Sequence, residues 1–470
     1  MLIDKLEEYS KEGIYPFHMP GHKRQGITMP DPISIDITEI DGFDDLHHPR
    51  EILRKEQERI ARIYGAKRSY ILVNGSSCGN ICAIYDGCKC NDKIIVGRNA
   101  HKSVYHGAIL RRLQVAYVTP RVTEENVATI VGLQGYREAM DENPDAVAIV
   151  VTSPTYEGFV EPLQEIVKLA HSRKMAVIVD AAHGAHLGFN SYFPENPVKS
   201  GADYVIMSLH KTLPAMTQTA VIHVNATETR IEDYLHMFQT SSPSYVLMGS
   251  ISKCMNLLEE KPELFEEYVE NLKEFYESAI ALQALSIWSE SGDENEYKDR
   301  DPSKIVICCN GYITGPQLAE SLRKNYKIET EMSSFGYVLA MTSVMDTKEG
   351  FHRLLQGLRE IDNKIMNGDD LGVVDKSHIQ GMSQGIVYGR KVMEMYEAKD
   401  RSIYQVALDD RTSLIGKICG SIVAIYPPGI PICVPGEEIA EEQLNLIDQA
   451  MEAGLTVTGL AEDKYLEVVN

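Results

Sequence analysis

The stretch Met175-Ala176-Val177-Ile178-Val179-Asp180-Ala181-Ala182-His183-Gly184-Ala185-His186 decides the fold. Its first half is a short apolar run rich in β-branched residues. The run ends directly in a carboxylate, followed by small residues and two histidines. Such runs are typical of strands buried on both faces of a parallel sheet. Similar runs occur at Ser69–Val73, Lys93–Val96, Val147–Thr152, Tyr204–Ser208 and Ala220–Val224. Helical stretches lie between several of them, such as Leu163–Arg173 with Leu163, Ile166, Val167 and Ala170 on one face. The alternation predicts right-handed βαβ units and an α/β core with a mostly parallel sheet.

Ligands of open α/β sheets bind outside the carboxyl ends of the strands. Those ends read Asn74-Gly75-Ser76-Ser77, Gly97-Arg98-Asn99-Ala100-His101, Ser153-Pro154-Thr155-Tyr156, Asp180 to His186, and Ser208-Leu209-His210-Lys211-Thr212. Polar or ionisable residues stand at every one, which points to one site assembled from several loops.

The rest of the chain sets bounds. Its 470 residues suffice for two to four domains at roughly 100–200 residues each. With 68 acidic and 46 basic residues the formal charge is −22, which disfavours nucleic acid and anionic membrane as partners. No apolar run is long enough to span a bilayer, and the first residues do not read as a secretory signal. Nine cysteines without such a signal suggest reduced thiols in a cytoplasm. Residues 251–285 read as one long helical region, and the charged stretch Ser289–Lys304 as a boundary. Beyond it a second α+β pattern runs through Ile305–Cys309, Gly315–Tyr326, Tyr337–Thr342 and Lys348–Asn363. We therefore expect a large domain over 1–290, including an N-terminal segment 1–40, and a smaller α+β region over 291–470.

Singly, each strand end has an ordinary explanation. Gly75-Ser76-Ser77 before a helix is a phosphate cradle or a plain N-cap. Asp180 either binds a protonated ring nitrogen or the N–H groups of its own turn. Lys211 is an amine with a depressed pKa or a surface lysine. Together, an anion site, a buried carboxylate and a lysine are what pyridoxal 5'-phosphate requires. His101 is placed to stack on its ring. Neither a Walker loop nor G-x-G-x-x-G is present. The cysteines Cys78, Cys82, Cys88 and Cys90 lack the paired knuckles of a zinc site and read as small buried thiols. His47-His48 and His183/His186 suggest a metal less well than cofactor and turn contacts.

Longer motifs narrow the reading. They are Pro16-Phe17-His18-Met19-Pro20-Gly21-His22-Lys23, Asp44-Asp45-Leu46-His47, Thr152 to Gly158, Ser208 to Gln218 (SLHKTLPAMTQ), Ser242-Pro243-Ser244-Tyr245 and Tyr426 to Glu437. Through them the chain closely resembles the fold-type-I, pyridoxal-phosphate-dependent ornithine/lysine/arginine decarboxylases of bacteria. The resemblance implies decarboxylation of arginine, lysine or ornithine to the amine and CO₂, in polyamine biosynthesis. Lys211 would bond the cofactor's aldehyde, Asp180 would pair with its ring nitrogen, and His101 would stack on it. His183 would lie beside the ring substituents. Ser76, Ser77, Ser208 and His210 would hold the phosphate. Ser241 and Ser242 would reach the phosphate of a neighbouring subunit, so a homodimer or larger homo-oligomer is expected. Ala181 departs from the glutamate that many relatives carry. With PFHMPGHK starting at residue 16, the N-terminal receiver-like domain of larger relatives is expected to be absent. Asp44, Asp45 and Glu437 are candidates for the distal cation of the substrate. An aminotransferase or other lyase, with Arg323 as a possible carboxylate anchor, and a non-catalytic cofactor-binding regulator are the competing readings.

Overall fold

A computed structural model of the chain describes all residues except 26–28, 124–126, 289–298, 370–387, 427–428 and 463. Its centre is a seven-stranded sheet. The strands are β1 (Arg68–Leu72), β2 (Lys93–Gly97), β3 (Gln114–Val118), β4 (Ala146–Thr152), β5 (Ala176–Asp180), β6 (Tyr204–Met207) and β7 (Ala220–Val224). Their spatial order is β1-β7-β6-β5-β4-β2-β3. Every neighbouring pair is parallel except those involving β7, which runs antiparallel to both β1 and β6.

Alternate residues of each strand enter different cores. Ile95, Ile149, Val177, Val179 and Val205 pack on one side of the sheet, and Ile94, Val96, Val150, Ile178 and Ile206 on the other. Burial on both faces is why these strands are legible as continuous apolar runs. β3 escaped that reading. It lies at the sheet edge, with Gln114, Ala116 and Tyr117 only partly buried.

On one face, helix α1 (Gly75–Gly87) packs against α2 (Lys102–Arg111). The long helical region is two helices, α3 (Tyr245–Glu260) and α4 (Glu263–Ala279). The break falls at Lys261-Pro262, where proline lacks an amide donor and restricts the residue before it. Ser244 caps α3 by accepting the Leu247 N–H at 3.4 Å, which starts this helix before residue 251.

A second, antiparallel sheet has the order Met332–Ser333, Tyr337–Met341, Lys304–Cys308, Ser286–Ile287. The N-terminal strand Tyr15–Phe17 pairs in parallel with Ile328–Thr330, which carries the segment 18–24 across to the large sheet. Farther on, Val423–Tyr426, Ile430–Cys433 and Thr456–Thr458 form a three-stranded sheet. Together with Glu441–Glu452 and the pair Ile403–Ala407/Tyr465–Val469 it encloses its own apolar cluster. Among the described residues no helix is long and apolar enough to cross a membrane.

Candidate active site

The carboxyl ends of the parallel strands converge on a cavity of about 190 Å³. Lys211, Asp180, His183 and His101 line it, as do Ser76, Ser77, Ser208 and His210. Eight of the ten residues picked from sequence therefore meet at one place.

Asp180 is the last residue of β5 and is 3% exposed. Its Oδ2 accepts from Asn80 Nδ2 at 2.8 Å, and its Oδ1 accepts the Ala182 N–H at 3.2 Å. It therefore caps its own turn, as one of the two explanations had it, and also faces the cavity. Asn80 also donates to Ser103 Oγ at 3.0 Å, and Ser103 Oγ lies 2.8 Å from His101 Nδ1. His101 caps α2 through the Ser103 N–H. A chain of hydrogen bonds therefore ties the ring of His101 to the carboxylate of Asp180. Burial lowers the His101 pKa to about 4, against the pull of Asp180 and with help from Lys211. His101 is thus a neutral ring near pH 7.

Lys211 lies on a single helical turn, Leu209–Thr212, just past β6. Its Nζ is 3.0 Å from His183 Nε2. Burial lowers its pKa, while Asp180 and Glu331 oppose the shift and Lys304 adds to it. Burial and then Lys211 hold His183 well below its ordinary value, so it accepts from the amine. The ring of Tyr156 lies 4.5 Å from that of His183. His210 Nδ1 lies 2.8 Å from the Thr219 carbonyl, and the Gly21 N–H donates to the His210 carbonyl at 2.7 Å.

The serines gather at a helix start. Asn74 is the N-cap of α1, but no side chain caps the helix, and Ser76 and Ser77 lie in its first turn. Ser208 Oγ donates to Ser76 Oγ at 2.9 Å, joining the ends of β1 and β6. A helix start with uncapped N–H groups and clustered hydroxyls suits a phosphate dianion. His183 Nδ1, Thr152 Oγ1 and both side-chain polar atoms of Asn99 are buried without partners among the described residues. All three residues line the cavity. Acceptors, donors, a carboxylate and an amine of this kind fit pyridoxal phosphate.

Ser241 and Ser242 do not line the cavity; they sit in an exposed loop before α3. The three acids considered for the distal cation are committed elsewhere. Asp44 accepts the N–H groups of Arg50, Glu51 and Leu53 around the start of helix Ile52–Tyr64, and Asp45 accepts that of His47. Glu437 is paired with Arg98 at 3.3 Å in the interior. Arg323 pairs with Glu329 at 3.0 Å on the surface, away from the cavity. His186 contacts Asp301 at 3.0 Å, whereas His183 faces Lys211, so the two histidines share no centre. His47 and His48 cluster with His236 in a separate cleft. The Sγ atoms of Cys78 and Cys82 lie 3.9 Å apart in the interior, Cys88 is buried, and Cys90 is exposed.

Sequence reading gave no role to Asn80, Tyr156, Glu157 or Glu331. Glu331 Oε1 accepts from the Tyr156 hydroxyl, and its Oε2 accepts the Met19 N–H at 2.8 Å. Glu157 lines the cavity, accepts from the Tyr337 hydroxyl at 2.9 Å, and has its pKa raised by burial. Asn80 carried a local signal as a polar residue inside an apolar helix, Tyr156 and Glu157 lay within the motif Thr152 to Gly158, and Glu331 carried none.

Comparison with known proteins gives the family. Residues 1–291 match the family model of the Orn/Lys/Arg decarboxylase major domain, and 390–463 that of the C-terminal domain. The chain is 30% identical to an arginine decarboxylase of Bacillus anthracis over 100% of its own length and 96% of the relative's. It is 32% identical to an uncharacterized protein of Bacillus subtilis, covering 97% and 95%. The constitutive lysine decarboxylase of Escherichia coli is 24% identical, over 94% of this chain and 76% of that one. Among solved structures, the lysine decarboxylase of Francisella novicida superposes with a TM-score of 0.79 at 17% identity, covering 100% of this chain and 83% of that one. The likeness shows the fold.

Proposed function

The chain belongs to the Orn/Lys/Arg decarboxylase family, and from that premise we propose that it removes the α-carboxylate of arginine, lysine or ornithine as CO₂, using pyridoxal 5'-phosphate. One observation carries the reading: Lys211, His183 and Asp180 face one cavity beside a serine-lined helix start. When bound, the cofactor supplies an aldehyde for the amino acid and a ring that accepts the electron pair left by CO₂.

The chain's own groups do the rest. Ser76, Ser77, Ser208 and His210 hold the phosphate. Asp180, fixed by Asn80, keeps a proton on the ring nitrogen. His101, neutral and tied to Ser103, offers its flat face. Lys211 is an amine whose buried setting favours the neutral form, and His183 orients it. The same amine is placed to return a proton to the substrate's Cα. Glu157, which lines the cavity, and Glu331, which accepts from the cavity-lining Tyr156, are the acceptors for the substrate's distal cation. Ser241 and Ser242 serve the partner's cofactor in a homodimer. The net charge of −22 draws cationic amino acids toward the surface. An aminotransferase would hold the substrate carboxylate with arginine, and among the described residues no arginine lines the cavity.

The test is CO₂ release with added cofactor from arginine, lysine, ornithine and a neutral amino acid. Activity on one of the three basic amino acids is expected. No release from any of them, or a keto acid as product, would overturn the reading. Lys211→Ala should lower the rate by about a thousandfold or more.

A further inference from the structure

Arg98 follows the last residue of β2, and the next three residues, Asn99, Ala100 and His101, line the cavity. Its side chain is 1% exposed. The guanidinium lies over the rings of Tyr388 at 4.1 Å and Tyr117 at 4.8 Å, and two of its nitrogens reach Glu437 at 3.3 Å. It also faces the carbonyls of Pro431 and Ile432 at 3.5 and 3.4 Å. Those carbonyls belong to the strand Ile430–Cys433, and Ile430 lines the cavity together with Gly429. Glu437 Oε2 in turn accepts the Val434 N–H at 3.2 Å, just past that strand.

One side chain thus joins two walls of the cavity that lie more than three hundred residues apart. A buried ion pair adds little stability over apolar residues of like size, but it does favour one geometry. The guanidinium holds the strand through Nη2, which donates to Glu437 and to the two strand carbonyls, while Nη1 stays within 3.3 Å of the same carboxylate.

We propose that Arg98 and Glu437 are positioning residues: the pair sets the strand 430–433 so that Gly429 and Ile430 form a wall of the cavity, with Ile430 touching the side chain of the bound amino acid. The proposal rests on the decarboxylase reading for its substrate, and on the cavity geometry alone for the pair.

The test uses the full chain loaded with cofactor. KM and kcat for CO₂ release are measured alongside hydrogen exchange of the Ile430, Ile432 and Cys433 amides. Arg98→Lys keeps the charge and loses the fork. It should raise KM about tenfold, change kcat by less than about twofold, and speed exchange at those amides about tenfold. The double variant Arg98→Met/Glu437→Met removes the buried charges and should fold, with the same rise in KM and in exchange. Ile430→Ala leaves the pair intact. It should shift the preference among arginine, lysine and ornithine without changing exchange at Cys433. Wild-type KM and exchange in both pair variants would overturn the positioning role. Unchanged preference in Ile430→Ala would overturn the wall. If the wild-type chain released no CO₂ from any basic amino acid, the decarboxylase reading would fail, and the exchange comparison would still decide the role of the pair.

Discussion

A Cβ on Gly21 would sit 2.6 Å from the Leu213 carbonyl oxygen and 2.9 Å from its nitrogen. Both are backbone atoms of the segment that leaves Lys211, and they cannot swing aside as a side chain can. Gly21→Ala is therefore expected to cost about 1–3 kcal/mol in urea denaturation and to lower kcat by more than about tenfold. At this scale the site was largely legible. Asp180 and Lys211 each end or closely follow an apolar run, so their exit from the sheet is a local fact, whereas the setting of the Lys211 amine is not. Glu331 was not legible, because its role depends on Met19 and Tyr156, which only the folded chain brings to it. Glu437 was visible as an acid, but its partner Arg98 is distant in sequence and turns a candidate substrate acceptor into a structural anion.

Between elements, the second sheet is fastened beneath the site by a buried charge cluster. Lys304 opens the strand Lys304–Cys308 and lies 2.9 Å from Asp301, whose other oxygen meets His186 at 3.0 Å. Lys304 and Asp301 are fully buried. Burial alone would raise the Asp301 carboxyl, but His186 and Lys304 overcome it and hold it well below the usual carboxylate range. Asp301→Ala would strand a buried ammonium and is expected to cost about 3–5 kcal/mol in urea unfolding. Adding Lys304→Met should recover most of that loss, and a double variant no more stable than Asp301→Ala would count against the pairing. None of this was legible. Asp301-Pro302-Ser303-Lys304 reads as a charged turn, and charged turns are normally solvated. Elements carried by period, such as the helix Gly315–Tyr326, were read correctly, whereas the split at Pro262 and the edge strand β3 were not.

For the molecule as a whole, acid should be the weak direction. Burial holds His223 at a pKa of about 3 and His18, His101 and His210 at about 4. In the unfolded chain these groups take up protons near pH 6.5. Above that both states are neutral, and as pH falls toward the folded values only the unfolded state gains protons, so stability is lost. For His223, fully buried with Nδ1 2.8 Å from Ser69 Oγ, the fall from 6.5 to about 3 is worth up to about 5 kcal/mol at ~1.36 kcal/mol per pH unit. The urea midpoint should drop as pH is lowered from 6.5 to 4, and His223→Gln should flatten that drop. A variant with the same slope as wild type would remove His223 from the account. The α/β class was legible at this scale because the sheet is buried on both faces. The pairing of Tyr15–Phe17 with Ile328–Thr330 was not, since no local pattern records a partner three hundred residues away.

The place of β7 between β1 and β6 also has a meaning in time. A chain emerges from the ribosome from its first residue, at roughly 5–20 residues per second. About 150 residues separate β1 from the only strand that pairs with it among the described residues, so β1 waits on the order of 10–30 seconds as an unpaired edge. Ser76 waits with it, because Ser208 is made only shortly before β7. The Ser76–Ser208 pair, the proposed phosphate cradle, therefore does not exist on the nascent chain until about residue 224 is free. Cofactor supplied during synthesis should protect the chain from proteolysis only after that length has emerged, and not before.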